Sequence, residues 1–171
     1  MSAPATSLAM IDADAVTCIA TDLFTTMIDG EPGHLTPWWT QVPAVVEPRF
    51  TWIDIQGRVV TRVLLTAGRE TGERLTRALL ALPDDVGVDD ADFADAVGEL
   101  ANVVGGNVKS LVTDSGALTL PVVAHTRPAT DGASAIVDVW LNWRGAPLSV
   151  SLWALPRRAS TDLETEVGED I

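Results

Sequence analysis

The chain has 171 residues, 47% of them apolar, with 24 acidic against 11 basic side chains and a net charge of −13. That length and content suit one domain with its own core, and the charge argues against nucleic-acid binding, which needs Lys and Arg to neutralise phosphates. No run approaches the roughly 18 apolar residues of a membrane span, the opening MSAPATSLAM lacks the pattern of a secretory signal, and a single cysteine excludes an internal disulfide framework and fits a cytoplasmic protein.

Residues 12–29 carry a helical period. Val16, Ile19, Leu23 and Met27 fall on one stripe, Asp12 is placed to cap the start, and Gly30 and Pro32 stop it. Cys18 lies within this apolar pattern and reads as a buried, inert thiol. Residues 31–48, rich in Pro and Trp, read as a long loop with room for a short strand, its Trp38 and Trp39 serving as packing anchors, the favoured reading, or marking a contact surface. Segments 49–56 and 58–66 read as two strands meeting near Gly57, with Phe50, Ile53 and Ile55 in the first and Val59, Val63 and Leu65 in the second. A helix over 69–82 follows, with Leu75, Leu79 and Leu82 on one stripe and Pro83 and Asp84–Asp85 breaking it. The lead-in, Thr66-Ala-Gly-Arg-Glu, reads as an ordinary loop-to-helix turn rather than an anion site.

A longer helix spans about 90–113, capped by Asp89 or Asp90. The period then changes. Segments 117–126, 133–143 and 146–155 are apolar and β-branched and read as antiparallel neighbours, with turns at Asp131–Gly132 and Arg144–Gly145. Residues 157–171 lose apolar content and gain Asp162, Glu164, Glu166, Glu169 and Asp170, so a disordered acidic tail is expected after a single domain of residues 1–156. The order helix, two strands, two helices, three strands predicts an α/β layered fold with a mainly antiparallel sheet packed against helices.

Chemistry-bearing motifs are sparse. His34, His125 and one cysteine are too few for a typical zinc site, His125 reads as structural, and neither a phosphate-binding G-x-x-x-x-G-K-[ST] nor a G-x-S-x-G occurs. The long helix is more informative. At about 100° per residue, Phe93, Val97, Leu100, Val104, Val108 and Leu111 form an apolar stripe to be buried. Asp92, Asp95, Glu99, Asn102, Gly106 and Lys109 fall opposite it, toward solvent. Each glycine in this helix costs about 1 kcal/mol relative to alanine, yet Gly98, Gly105 and Gly106 are helix-surface neighbours of Asn102, with Glu99 as the fourth. Two readings stand at this point: a surface stripped of side chains for close approach by another macromolecule, or glycines that permit packing, a role open to Gly105 in particular.

The stretch Glu99-Leu-Ala-Asn102 resembles the E-x-x-N signature of the CheC/CheX/FliY phosphatases of bacterial chemotaxis. The surrounding Ala96-Val-Gly-Glu-Leu-Ala-Asn-Val-Val-Gly-Gly-Asn107, followed by Lys109, resembles the CheX branch best. Asp95 falls where the family pattern has an Asp or Ser, Leu118-Thr-Leu-Pro121-Val-Val resembles the proline-containing strand after this helix, and Asp22-Leu-Phe24-Thr-Thr-Met27 resembles the first helix. Residues 12–29 hold no second E-x-x-N, as in the one-site CheX branch.

The resemblance implies removal of phosphate from an aspartyl phosphate on a CheY-like receiver domain, which supplies its own Mg²⁺, so the chain is expected to carry no cofactor or metal. It implies Glu99 and Asn102 as the catalytic pair, Glu99 pairing with the receiver's lysine and Asn102 orienting water. It makes Asp95, Gly98, Gly105, Gly106 and Lys109 the surrounding binding surface, and it implies a cytoplasmic homodimer without nucleic-acid or membrane partners. The alternatives are a non-catalytic receiver-binding adaptor and a structural homodimer.

Overall fold

A computed structural model of the chain describes residues 11–156. The expected acidic tail, 157–171, lies outside the described residues. Helix α1, Ala13–Leu23, starts where Asp12 accepts a hydrogen bond from the Ala15 N–H at 2.9 Å, as anticipated from sequence. It runs on into a wider π-helical turn, Phe24–Asp29, where Thr26 Oγ1 donates to the carbonyls of Asp22 and Leu23 and Gly30 at φ 70° ends the helix. The Cys18 reading fails: the residue is exposed. Val16, Ala20 and Leu23 face the core, and Cys18 stands about 200° around the helix from Val16.

The loop that follows holds one short strand, β1, Leu35–Pro37. Trp38 is half-buried and donates from Nε1 to Thr40 Oγ1 and the Gln41 carbonyl, both at 3.2 Å. Trp39, read as a second anchor, is instead 84% exposed. Neighbouring side chains of an extended segment point to opposite sides, so only one of the two indoles can face the body. Strands β2, Pro48–Gly57, and β3, Val60–Gly68, pair antiparallel through the turn at Arg58–Val59. That turn leaves Val59 41% exposed, outside the strand where sequence placed it.

Helix α2, Arg69–Leu80, ends two residues before its sequence limit of 82, because Ala81 turns left-handed at φ 51° and the Leu82 N–H closes back on the Arg77 carbonyl at 2.9 Å. Its first amide donates to the Glu47 carbonyl at 3.1 Å. Helix α3, Asp90–Leu111, is capped by Asp89, which accepts from the Asp92 N–H at 2.8 Å. Leu111, expected in the buried stripe, is 46% exposed because it is the last helical residue and overhangs the core.

The segment 117–126, expected as one strand beside 133–143, forms two pieces: β4, Ser115–Leu118, and β5, Val122–Ala124. Both pair with β2 instead, β4 around Ile55 and Gly57 and β5 over Phe50 to Trp52. Pro121 lacks the N–H a continuous ladder needs and interrupts them. Strands β6, Ser134–Trp143, and β7, Ala146–Leu155, make the expected hairpin, with Arg144 and Gly145 both at positive φ and the Gly145 N–H donating to Asn142 Oδ1 at 2.7 Å. The antiparallel sheet runs β1-β6-β7-β3-β2, with β4 and β5 in line along the free edge of β2.

One core unites the inward residues of the helices with one sheet face, including Ile53, Ile55, Val63, Val139, Leu141, Val150 and Leu152. The opposite face shields Leu64 and Ser151 under side chains of their cross-strand neighbours. Trp52 and Trp153 lie there, each with a guanidinium over its ring, Arg62 at 5.4 Å and Arg127 at 5.7 Å. Arg62 also grips Asp54 with two hydrogen bonds of 2.8 Å across the β2–β3 pair. On the core side, Thr61 is fully buried opposite Ile55, and its hydroxyl has no hydrogen-bond partner among the described residues. An unpaired buried hydroxyl costs about 1–3 kcal/mol. Thr61→Val keeps the shape and removes that cost, so it should raise unfolding stability by about 1 kcal/mol, read as a higher midpoint of chemical denaturation with an unchanged slope.

Candidate functional site

Helix α3 touches α1, α2 and each of strands β2 to β5. It is therefore buried around most of its girth, and not only along the stripe that its large apolar residues mark. Gly98, Ala101 and Gly105 are buried as well. This corrects the reading of a bare surface around Asn102. A Cβ built on Gly105 would lie 2.7 Å from Ile53 Cγ2, and one on Gly98 would lie 3.2 Å from Pro121 Cγ. Two of the three glycines thus let α3 settle onto β2 and the proline segment, which is the packing role left open for Gly105. Only Gly106 faces open space, with nothing within 4 Å of its Cβ position.

What remains of α3 in solvent is a narrow ridge. Asp95 and Glu99 are exposed and Asn102 is half-buried. These three, with Ala94, Gly98, Pro121 and Val123, line an open cleft of about 520 Å³ between the helix and the broken edge strand. Glu99 and Asn102 are one helical turn apart and point to the same side. Among the described residues, no hydrogen bond or ion pair engages either side chain. Asn107, five residues on, differs: its amide nitrogen donates to the Val103 carbonyl at 2.8 Å. Asn102 is the amide left available.

Of the residues expected around the pair, Asp95 and Gly98 line the cleft, Gly106 continues the ridge, and Gly105 lies beneath it. Lys109 is half-buried near the helix end, seven residues past Asn102, about 10 Å along the axis. Sequence reasoning did not assign Pro121 and Val123 to the cleft. The proline was visible as a motif; its seat on Gly98 was not, since twenty-three residues separate them.

The pair has limited but definite chemical scope. An exposed carboxylate attracts a cation and accepts hydrogen bonds, while a carboxamide both donates and accepts. Together they can hold a polar group and a water in fixed relation. Among the described residues no group of three or more His, Cys, Asp or Glu side chains could hold a metal ion. His34 sits away from this site and bonds Glu31 at 2.7 Å; that hydrogen bond, then the His34 charge, lowers the Glu31 carboxyl below its ordinary pKa. No described helix is long and apolar enough to cross a membrane.

Comparison with known proteins bears on this geometry. The family model for the chemotaxis phosphatase CheX matches residues 50–136, just over half of the chain and including both Glu99 and Asn102. Among solved structures, CheX from Desulfovibrio desulfuricans shares the fold with a TM-score of 0.62 at 19% identity, over 82% of this chain and 96% of that one. CheX from Vibrio vulnificus matches with a TM-score of 0.60 at 18% identity, over 82% and 93%. CheX from Borrelia burgdorferi, solved as a complex with CheY, BeF₃ and Mg²⁺, matches with a TM-score of 0.59 at 15% identity, over 84% and 97%. No curated protein sequence matches the chain.

The glycine assignments are separable by stability. Gly106→Ala should gain up to about 1 kcal/mol, since the helix favours alanine and the space is open. Gly105→Ala should lose about 1 kcal/mol or more, because the buried, β-branched Ile53 has to move and the overpacking outweighs the helix gain. Denaturation of the two variants checks the opposite signs.

Proposed function

The chain belongs to the CheX family of chemotaxis phosphatases, and from that premise we propose that it accelerates loss of phosphate from the aspartyl phosphate of a CheY-like receiver. Asn102 orients the attacking water, and Glu99 pairs with a lysine of the receiver. The observation that carries this reading is the open cleft in which Glu99 and Asn102 project together, neither engaged by the rest of the described chain.

The chemistry asks little more of the protein. Water adds to phosphorus as the bond to the aspartyl oxygen breaks, giving inorganic phosphate and the free carboxylate, with the water's proton passing to solvent or to the departing phosphate. Phosphoryl transfer is governed by positioning and charge stabilisation rather than by covalent help from the catalyst. A carboxamide suits this role, since it can accept from the water while donating to an oxygen nearby, and being neutral it does not repel the phosphoryl group. Glu99 adds a charge-assisted contact that sets the docked pose. The receiver brings the Mg²⁺ that offsets phosphoryl charge, so the acidic ridge of Asp95 and Glu99 need not bind metal itself. A receiver substrate places the reaction in the cytoplasm. The homodimer implied by the sequence resemblance belongs to this proposal and is checked by light scattering against the 18.1 kDa chain mass.

Asn102→Ala should lower receiver dephosphorylation by about 100-fold or more with circular dichroism and unfolding unchanged, and added Mg²⁺ should not restore it. Release of phosphate from receivers labelled with acetyl phosphate measures this. Equal decay with and without the wild-type protein, across the CheY-like receivers of the same genome, would remove the catalytic reading. Binding without acceleration would leave an adaptor in its place.

A further inference from the structure

We propose that Arg74, Arg77 and Arg144 form a second binding site, for a phosphoryl group, in a cleft of about 400 Å³ between α2 and the β6–β7 turn. Its lining shares no residue with the cleft of Glu99 and Asn102, so the inference stands apart from the phosphatase reading. Trp143 is its foundation. Only 3% exposed, this indole donates from Nε1 to Asp29 Oδ2 at 3.1 Å and meets Phe24 edge-to-face with ring centres 5.7 Å apart. The Arg74 guanidinium lies over the same indole, 4.8 Å from its centre. A cation over a ring face spends no hydrogen-bond donor, and among the described residues Arg74 has no hydrogen bond or ion pair. Glu70, one helical turn before it, is the usual kind of partner for such an arginine, yet Arg74 makes its contact with Trp143 instead. Its N–H groups are left without acceptors.

The other two arginines line the same cleft with donors to spare. Arg144 grips Oδ1 of the buried Asp29 through Nε at 3.0 Å and Nη2 at 2.9 Å, which leaves Nη1 unused. Arg77 gives Nε to the Val86 carbonyl at 2.8 Å, and its ion-pair partner Glu73, 3.9 Å away, is held more closely by Arg69 at 2.9 Å. Two carboxylates also line the cleft: Asp29, which Arg144 and Trp143 occupy, and Asp84, which is exposed. Like charges three apart on a helix repel one another, and a third from the β6–β7 turn adds to that cost. In a chain of net charge −13, abundance does not explain such a gathering. An oxyanion held among the three offsets the repulsion. A phosphoryl group has the charge and the oxygens to meet more than one guanidinium, whereas a carboxylate is filled by a single fork. The cleft has the volume of a small-molecule site, so both free phosphate and a phosphate ester fit it.

The test is calorimetric titration of the full chain with inorganic phosphate, with AMP and with acetate, at one ionic strength set with chloride. The wild type should bind phosphate or AMP about tenfold more tightly than acetate, or better. Arg74→Gln should weaken that binding about tenfold or more. Arg58→Gln removes the same charge from the exposed β2–β3 turn and should keep the wild-type affinity within about twofold. Arg77→Gln should weaken binding as well, and it serves as the decisive variant if circular dichroism shows that Arg74→Gln has lost its fold. Binding of both phosphate and AMP means that the phosphoryl group alone is read; binding of AMP only assigns the site to an ester, and binding of phosphate only assigns it to the free ion. Absence of binding by both overturns the inference. So does equal affinity for acetate, wild-type affinity in the folded arginine variant, or an equal loss in Arg58→Gln, which would make the effect one of overall charge.

Discussion

The close seating of α3 on the edge of the sheet is the constraint on which the remaining structure depends. Gly105 opposite Ile53 allows a separation that no side chain there would permit without a shift, and any side chain at Gly98 would crowd Pro121. The two contacts fix both the height and the rotation of the helix. Rotation decides which residues form the ridge, so the same packing that buries Leu100, Val104 and Val108 turns Glu99 and Asn102 outward. A site on a regular helix braced on several sides is held more rigidly than one on a loop. Helical glycine weakens α3 locally, and the packing it permits offsets that loss.

The edge strand is the second half of the same arrangement. Sheet edges expose unpaired backbone groups and attract unwanted pairing. Here the edge is split by Pro121, pinned to Asp54 through Thr119, and pressed against α3. The break serves two ends. It blunts the edge, and it seats Pro121 on Gly98 of α3, where Pro121 and Val123 form one wall of the cleft. Cleft and edge protection come from one irregularity in the chain.

Electrostatics adds selectivity. The chain carries a net charge of −13, and several of its described arginines are drawn into structural roles. Arg62 and Arg127 lie over tryptophans of the outer sheet face, Arg144 bonds Asp29, and Arg69 bonds Glu73. The ridge near Asn102 is left with carboxylates and without a neighbouring arginine in the cleft. A surface of that kind repels free anions and favours a partner surface of positive charge.

The sequence by itself determined the kinds of element, most of their limits, and the identity of the E-x-x-N pair. These are written in local signals: the Asp12 and Asp89 caps, the Arg144–Gly145 turn, and the 3.6-residue period that sets Asn102 opposite the apolar stripe. The period predicted the exposure of Glu99 because a helix fixes the direction of its side chains. Tertiary structure alone decided what surrounds that pair. Whether Gly98 and Gly105 are bare or covered depends on Pro121 and Ile53, residues distant along the chain. Cys18 is exposed and Trp39 unpacked because burial depends on what the fold brings against a side chain, not on its own hydrophobicity. The last strands illustrate the same limit, since 117–126 has the composition of a neighbour for 133–143 yet pairs with β2 at the far edge. Local periodicity specifies which way a side chain points; only long-range packing specifies what it meets there.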